Sequence, residues 1–393
     1  MKNKLKNRNI LVLSPSEWSD NAVSNMHISS QLSLENKVVY IETIGGRFPK
    51  LSEIGRVFRR IVNFFGSSRK HKIQKGLDPN NVIIESPLAI PIYNSPILDK
   101  INKKILNFQI KKILKKNNFN NIIIWCFSPR WEGVINELDY NILIFHCVDA
   151  LNTYDSSNEF YNKFKRIVKK SDIVLTPSKL LEKDLKKFNH RTKRIPHGCD
   201  DRYLDSVFKI ENSTELSKIK KPIAIYVGTL ANWVDYNLLI DVVSKNKKIS
   251  FVLIGYIHAL APKNKITKLL NFSNVYHLGY KKFEFLSSYI RMSDVCIVPY
   301  DQTNKHIQYS TPTKFLDYLA SGLPIISTSF PDAYNYKDMI YIAKNAIKFS
   351  KFLDIATAEK SKSIVQKRKN YAKQNAWSTQ ISKMEMEILN IIN

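Results

Sequence analysis

One stretch of the sequence decides the fold of the second half of the chain. It is Gln308–Gly322, which reads QYSTPTKFLDYLASG. An apolar run precedes it, and a polar loop leads into Ser310-Thr311-Pro312, which is typical of a helix start with Pro near the first turn. A short helix then ends at Gly322 and a second apolar run, Pro324–Ser327, follows. Strand, helix and strand in this order predict a unit of a parallel α/β sheet.

The same alternation extends in both directions from this stretch. A chain of 393 residues is long enough for two domains. Continuous apolar runs of this kind are typical of parallel strands that are covered on both faces. The predicted strands are Ile10–Leu13, Lys37–Glu42, Asn81–Glu85, Asn121–Cys126, Ile142–Cys147, Asp172–Thr176, Thr192–Ile195, Ile223–Val227, Phe251–Ile254, Asn274–Leu278, Val295–Val298 and Pro324–Ser327. The fold class is therefore α/β, with two Rossmann-like parallel-sheet domains that face a cleft.

The domain boundaries follow from where the alternation weakens. We predict a first domain over 1–205, a polar linker over 206–221 and a second domain over 222–375. A closing helix over 376–393 has Trp377, Ile381, Met384, Ile388 and Ile391 on one stripe, and we expect it to cross back to the first domain. A second helix is predicted where apolar residues recur at i+3/i+4 spacing, at Ile97, Ile101, Ile105 and Phe108.

Composition sets the range of partners and compartments. Lys and Arg number 61 against 34 Asp and Glu, a net charge of +27, which favours anionic partners. The alternative is a compositional bias with lysines that only solvate helix faces. The four cysteines lack metal-ligand spacing, and three of them lie in strand-like runs, which favours a reducing compartment. Without a signal-like or membrane-spanning stretch, we expect a cytoplasmic protein.

Two residues of the opening stretch suit a nucleotide. Neither a GxGxxG turn after the first strand nor a phosphate-binding P-loop motif occurs. Lys314 falls in the first turn of the predicted helix, where a cation opposes the helix dipole unless an anion binds nearby. Asp317 lies one turn further on, roughly on the same face. Lysine and a helix start suit a diphosphate, and the carboxylate suits ribose hydroxyls; the alternative is an ordinary exposed Lys/Asp pair.

Four segments resemble GT-B glycosyltransferases, and among these the bacterial exopolysaccharide enzymes of the xanthan glucuronosyltransferase and teichuronic-acid transferase type. The helix stretch is similar to the family element P-x-K-L-x-E-Y-L-A-x-G-x-P-V-I. The others, in the family's order, are KRIPHGCD at 193–200, YVGTL at 226–230 with WVD at 233–235, and LGY at 278–280 through SDV at 293–295 to PY at 299–300. Together they span about residues 120–330.

The resemblance implies roles for residues of the second domain. Lys314 would contact the donor diphosphate and Asp317 the ribose, while Thr229 beside Gly228 would lie near the phosphates. Tyr300 and Thr313 complete the predicted donor-binding set. The donor would be a nucleotide-sugar, with UDP favoured, and no metal or other cofactor is expected because no DxD motif follows a strand end.

The sequence departs from the family pattern at three places. The ribose acid is Asp317 where the family has Glu, which shortens its reach by one methylene. Tyr309 stands where retaining members carry a second Glu, and an Arg/Lys clamp is missing from Gly228–Asn237. These two absences favour an inverting transfer, which needs a general base for the acceptor hydroxyl. The strand end FHCVD at 145–149 supplies the candidates, Asp149 and, as alternate, His146; a turn or helix-cap role for Asp149 is an equal alternative.

The first half also contains a predicted acceptor and membrane region. Trp18 lies in the loop after the first strand and could face the acceptor, although a solvent loop is equally consistent. Residues 56–75 interleave cations with apolar side chains, the pattern of an interfacial membrane helix, with Arg56, Arg59, Arg60, Phe64 and Phe65 as its candidate contacts. Nucleic acid is disfavoured, because no recognised nucleic-acid-binding signature occurs.

The function predicted from the sequence is transfer of a sugar from a nucleotide diphosphate to a saccharide, lipid-linked, in cell-surface polysaccharide synthesis. The enzyme would then associate peripherally with the inner face of the cell membrane. Two alternatives remain: a nucleotide-sugar epimerase of the same fold, and a non-catalytic protein that binds anions or membranes.

Overall fold

The computed structural model describes residues 5–19, 22–42, 81–88, 96–150, 158–206 and 213–392. They form two compact units, one made of Met1–Ile195 with Ile381–Asn393 and the other of Pro196–Gln380. Each unit is built on one parallel sheet, and the described connections between its strands are mostly helical. The predicted α/β fold class with two parallel-sheet domains is confirmed.

The first unit contains a seven-stranded sheet in the order β3-β2-β1-β4-β5-β6-β7, and every neighbouring pair is parallel. The strands β4 and β5 are buried along their whole length, as the apolar runs predict. The strands are β1 Asn9–Leu13, β2 Lys37–Ile41, β3 Val82–Glu85, β4 Ile122–Cys126, β5 Ile142–His146, β6 Ile173–Thr176 and β7 Thr192–Arg194.

Helices of the first unit connect these strands. They are α1 Ser24–Leu32, α2 Pro96–Lys116, α3 Glu132–Ile135, α4 Asn158–Lys170 and α5 Lys179–Leu185. Helix α2 forms where the periodicity predicts it, but the face that enters the core is a different one. Leu106, Ile110 and Leu114 are buried, whereas Ile101 and Phe108 of the predicted stripe are exposed.

The second unit contains a six-stranded parallel sheet in the order β10-β9-β8-β11-β12-β13. Five strands lie where the sequence predicts them, and β13 was missed because it is short and only half-buried. The strands are β8 Ile223–Val227, β9 Ser250–Ile254, β10 Val275–His277, β11 Val295–Val298, β12 Ile325–Thr328 and β13 Tyr341–Ala343.

Ten helices are described from residue 201 onward. They are α6 Asp201–Ser206, α7 Thr214–Ser217, α8 Tyr236–Lys245, α9 Lys263–Leu270, α10 Phe283–Met292, α11 Lys305–Tyr309, α12 Lys314–Ser321, α13 Ala346–Thr357, α14 Lys362–Gln374 and α15 Trp377–Ile392. Helix α12 is the one that the opening stretch predicts. It ends at Gly322, whose φ of 82° is the left-handed conformation that glycine adopts without strain.

The second unit begins at Pro196, whereas the sequence interpretation ended the first domain at 205 and placed the linker at 206–221. The reason is local pairing. The Cys199 N–H donates to the Asn375 carbonyl at 2.8 Å, and the Trp377 N–H donates to the Cys199 carbonyl at 2.9 Å. Tyr203 and Leu216 are buried in the core of the same unit, so this polar segment is held by packing that its composition does not reveal.

The last helix changes units along its length, since Ile381–Asn393 belong to the first unit. Glu385 accepts a hydrogen bond from the Leu5 N–H at 3.2 Å, and Glu387 pairs with Lys193 at 3.0 Å. Ile381, Met384 and Ile388 of the predicted stripe are buried. Among the described residues, no helix is long and apolar enough to cross a membrane.

Candidate functional site

The order of strands in the second sheet defines a crevice. The chain runs outward from β8 to β9 and β10, then returns to lay β11 on the other side of β8. In open parallel sheets, ligands bind at the carboxyl ends of the strands where this reversal occurs. Gly228 follows β8 and Pro299 and Tyr300 follow β11, so these residues border the crevice.

Two glycines shape the loops at this edge. Gly228 has φ 147° and Gly255, after β9, has φ 141°. A Cβ at Gly255 would lie 2.1 Å from the Gly228 carbonyl oxygen, so the two backbones can approach only because Gly255 lacks a side chain. The Gly228 N–H donates to the Ile254 carbonyl at 2.8 Å. Gly255 was not predicted, although it follows an apolar strand as Gly228 does.

Lys314 extends from the first turn of α12 to Gly228. Its Nζ lies 2.5 Å from where a Gly228 Cβ would be. The same ammonium lies 4.0 Å from the ring centroid of Tyr226 and 5.0 Å from that of Tyr300. Both distances are within the range in which an aromatic face attracts a cation. We call Lys314, Tyr226 and Tyr300 the lysine cage.

Hydrogen bonds hold the cage in place. The Tyr226 hydroxyl donates to the Thr229 carbonyl at 2.9 Å, and the Val227 N–H donates to the Tyr318 hydroxyl at 2.8 Å. Tyr318 is on α12, so this bond ties the end of β8 to the helix that carries Lys314. Tyr226 and Tyr318 were not predicted, because only the folded chain brings a strand residue and a helix residue together around one ammonium.

Asp317 lies on the same helix, behind the cage. The Cys199 thiol donates to Asp317 Oδ1 at 4.0 Å. Burial and the neighbouring Asp200 carboxylate raise the pKa of Asp317 to about 7, while Lys314 lowers it. Burial likewise lowers the pKa of Lys314 to about 7, and Asp317 raises it. Neither side chain is exposed, so the alternative of an ordinary solvent-exposed Lys/Asp pair is wrong.

The structure therefore brings Gly228, Tyr300 and Lys314 together, with the Thr229 carbonyl beside them and Asp317 one helical turn further on. Thr313 stands at the N-cap of α12, but its side chain makes no capping hydrogen bond. The Leu316 N–H donates to the Thr313 carbonyl at 2.9 Å. Backbone geometry, not the Thr313 hydroxyl, thus forms the helix start.

The equivalent reversal point in the first sheet lies between β1 and β4. There Trp131 is buried and donates its indole N–H to the Ser14 carbonyl at 3.0 Å. A tryptophan therefore fills the position that in the second unit holds the lysine cage. This difference favours the second unit as the one that binds a nucleotide.

The two predicted bases have different surroundings. His146 is the last residue of β5 and only 1% exposed. Its ring stacks on Phe127 at 5.0 Å, and its Nδ1 accepts a hydrogen bond from the Trp125 indole at 3.4 Å. An acceptor hydroxyl cannot reach a ring so enclosed, so His146 as the alternate base is wrong. Asp149 follows the carboxyl end of β5 and is half-buried.

Trp18 is anchored in the first unit. Its backbone N–H donates to Glu42 Oε1 at 2.8 Å, and its ring meets Tyr40 edge-on at 5.0 Å. Tyr40 in turn shares a network with Ser14 and Asn25. The loop that carries Trp18 is therefore held by buried polar contacts at the carboxyl end of the sheet. Arg56, Arg59, Arg60, Phe64 and Phe65 lie outside the described residues.

We expect Gly228→Ala to weaken binding of a nucleoside diphosphate by at least about tenfold. The new Cβ would displace the Lys314 ammonium, and a φ of 147° costs an L-residue about 1–3 kcal/mol. Titration calorimetry and thermal unfolding measure the two effects. Gly279→Ala is the matched control, because Gly279 also has a positive φ but its Cβ would have no neighbour within 4 Å. Equal loss of affinity in both variants would contradict the displacement of Lys314.

Comparisons with known proteins concern the family of the second half of the chain and the fold. Residues 208–381 match the family "Glycosyl transferases group 1". Among solved structures, HepE from Anabaena in complex with UDP and glucose is similar, with a TM-score of 0.67 and 13% identity over 98% of this chain and 99% of that one. None of the curated proteins matches the chain in sequence.

Two further structures show the same fold. A glycosyltransferase from Rickettsia africae has a TM-score of 0.69 and 14% identity, with 99% of this chain and 100% of the other covered. Sucrose-phosphate synthase from Thermosynechococcus elongatus has a TM-score of 0.70 and 12% identity, with 98% and 99% covered. The fold is thus GT-B, as expected. The family match covers residues 208–381, a little less than half of the chain, and together with this fold it supports an enzyme that transfers a glycosyl group.

Proposed function

We propose that the protein transfers a sugar from UDP to a hydroxyl group of a saccharide, with inversion at the anomeric carbon. The observation that carries the proposal is the lysine cage, which holds the ammonium of the half-buried Lys314 at the reversal point of the second sheet. Structures of similar fold include HepE with UDP and glucose and an Escherichia coli protein with UDP-2-fluoro glucose. They support uridine as the nucleoside of the donor.

The proposed chemistry gives each predicted site residue one role. Lys314 binds the diphosphate and stabilises the negative charge that develops as the bond from the anomeric carbon to UDP breaks. Asp317 accepts hydrogen bonds from the ribose hydroxyls, and the Gly228–Thr229 turn lines the phosphates. Asp149 takes the proton of the acceptor hydroxyl as its oxygen forms the new glycosidic bond. Trp18 supplies an apolar platform for the acceptor sugar.

The acceptor is proposed to be lipid-linked, within the synthesis of a capsule or exopolysaccharide. Two observations support this. The sequence resembles the xanthan and teichuronic-acid enzymes, and the net charge of +27 favours an anionic membrane surface. On this proposal the enzyme works in the cytoplasm, attached peripherally to the inner face of the cell membrane, and does not bind nucleic acid.

A screen of nucleotides by thermal unfolding tests the donor. We expect UDP to stabilise the protein by about 2.7 kcal/mol at a hundredfold excess over Kd, which raises the unfolding midpoint by about 5–10 °C. Uridine, which lacks the diphosphate, should give little shift. GDP and ADP distinguish the base: stabilisation by one of these instead would change the donor, and no response to any of the three would overturn the proposed donor site.

A further inference from the structure

Helix α2 covers the first sheet with one face only. Leu106, Ile110 and Leu114 point inward and are buried. Its sides are held by ion pairs, Lys103 with Glu137 at 2.8 Å and Asp99 with Lys163 at 3.9 Å. These contacts involve the inner face and the sides of the helix, and its outer face points to solvent.

The outer face is apolar along its centre. Phe108 is 68% exposed and Ile101 is 40% exposed. The two residues are seven positions apart, which places them on the same side of the helix about 10 Å from one another. Ile105 lies between them and is half-buried. The spacing of these three residues predicts a helix face that packs on the core, but in the structure this face points to solvent.

Lysines flank the stripe. From Lys100 to Lys116 the helix contains seven lysines and no acidic residue. Six of them are exposed. At 100° per residue, the four that lie within about 60° of Phe108 around the helix are Lys104, Lys111, Lys112 and Lys115. This face therefore combines lysine ammonium groups, which attract anions, with exposed Phe and Ile side chains, which favour an apolar environment.

A shallow groove extends the apolar area beside the helix. It has a volume of about 360 Å³ and is lined by Leu88, Lys104, Ile105, Phe108 and Gln109. The Gln109 side chain accepts from the Leu88 N–H at 2.9 Å and donates to the Leu88 carbonyl at 2.8 Å. This pair of bonds holds Leu88 next to the helix, so the groove is a built feature of the surface.

We propose that this face of α2, formed by Ile101, Ile105 and Phe108 with the four lysines nearest to Phe108, docks on a membrane that contains anionic lipids. Lysine ammonium groups match the lipid phosphates while their methylene chains lie along apolar surface. Phe108 and the two isoleucines enter the boundary between headgroups and acyl chains, as the apolar face of an interfacial helix does.

The apolar centre of the face distinguishes a membrane from nucleic acid. A surface that binds phosphate backbones gains its affinity from cations and polar donors, and aliphatic side chains on it contribute nothing. Ile101 lies within about 20° of Phe108 around the helix, so the two side chains form the middle of this face rather than its edge. The proposal goes beyond the residues 56–75 that the sequence singles out, because it rests on described residues alone.

Flotation of the full-length protein with lipid vesicles tests the proposal. With vesicles of phosphatidylcholine and about one third phosphatidylglycerol, we expect the double variant Ile101→Ser/Phe108→Ser to bind at least about tenfold more weakly, since each buried apolar side chain contributes more than 1 kcal/mol. Lys111→Gln/Lys112→Gln should weaken binding about fivefold per lysine. Pure phosphatidylcholine vesicles should bind neither the natural protein nor the variants.

The matched control is Ile347→Ser, which removes an equally exposed isoleucine, 73% exposed, from the second unit. It should leave flotation unchanged. Unfolding midpoints of all variants should agree, since the changed side chains are at the surface. Equal flotation of the natural protein and the Ile101/Phe108 variant would overturn the proposal. So would loss of flotation in the lysine variant alone together with binding of a single-stranded oligonucleotide, which would indicate nucleic acid.

The proposed membrane surface rests on the proposed function only for its role in the cell. Lipid flotation and UDP binding test the two proposals independently. UDP binding by the Ile101/Phe108 variant should equal that of the natural protein, because α2 belongs to the first unit and the lysine cage to the second. A protein that floats without binding UDP would refute the donor proposal alone. One that binds UDP without floating would refute the membrane surface alone.

Discussion

Lys314→Met is expected to raise the Kd for UDP by about 100-fold or more. The ammonium of Lys314 lies at the faces of Tyr226 and Tyr300, and among the described residues no carboxylate forms an ion pair with it. Its charge is therefore available to a diphosphate. Removal of one partner from a buried charge pair costs about 2–5 kcal/mol, and methionine keeps the length of the side chain. Titration calorimetry with UDP measures the change.

The control for this variant is Lys247→Met. Lys247 is exposed and lies just before β9, at the opposite edge of the same sheet. The Lys247→Met variant should bind UDP as tightly as the natural protein does. Lys314→Arg should recover only part of the affinity, because the larger guanidinium does not fit beneath Gly228. If Lys314→Met binds UDP as tightly as Lys247→Met does, the diphosphate is not bound at the lysine cage.

The same lysine makes binding depend on pH. Burial lowers the pKa of Lys314 to about 7, and the groups that face it are Tyr226, Tyr300 and Asp317. Above that pH the free lysine is neutral, and a diphosphate must bring a proton with it. Affinity for UDP should therefore fall between pH 7 and 9, by up to about tenfold per unit. Lys314→Met should lose this dependence. Asp317→Asn should move the fall to lower pH, because the Asp317 carboxylate raises the pKa of Lys314.

Asp149→Asn is expected to lower kcat by about 100- to 10,000-fold while the Kd for UDP stays unchanged. A general base contributes a factor of this size, and the amide of asparagine cannot accept the proton. Asp149 belongs to the first unit and the lysine cage to the second, so the loss should appear in transfer and not in donor binding. Transfer to a saccharide acceptor and UDP calorimetry on the same preparation separate the two.

Asp139→Asn is the matched control for Asp149→Asn. Asp139 is exposed and precedes β5, at the opposite end of the same strand, and its substitution should leave kcat intact. The configuration of the product, read by NMR, gives a second criterion, because transfer with Asp149 as base inverts the anomeric centre. A retained configuration, or full activity of Asp149→Asn, would refute this assignment and require another acid–base group.

Local sequence patterns predicted most of the fold because strands and helices of a parallel α/β protein are recognisable one at a time. Ile122–Cys126 forms a strand because five successive apolar residues suit a sheet covered on both sides. Gly322 ends α12 because glycine adopts positive φ without strain. Lys314 and Asp317 were recognised for the same reason, since their spacing on one helix is a local property.

Periodicity alone could not orient helix α2. The stripe of Ile101 and Phe108 has the spacing of a core face, yet Leu106 and Ile110 enter the core instead. A helix with apolar residues on more than one side has several faces that can pack, and the choice depends on the sheet beneath it. The linker at 206–221 shows the same limit, because the pairing of Cys199 with residues near 376 joins positions far apart in the chain.

The sequence by itself determined that the chain forms two parallel-sheet units and that a lysine and an acid lie one turn apart at the start of a helix. Only the tertiary structure decided which aromatic rings surround that lysine, that His146 is enclosed, and which face of α2 meets solvent. The physical reason is distance along the chain. Helix and strand signals arise within a few residues, whereas Tyr226, Tyr300 and Lys314 come together only when the order of strands places the ends of β8 and β11 side by side.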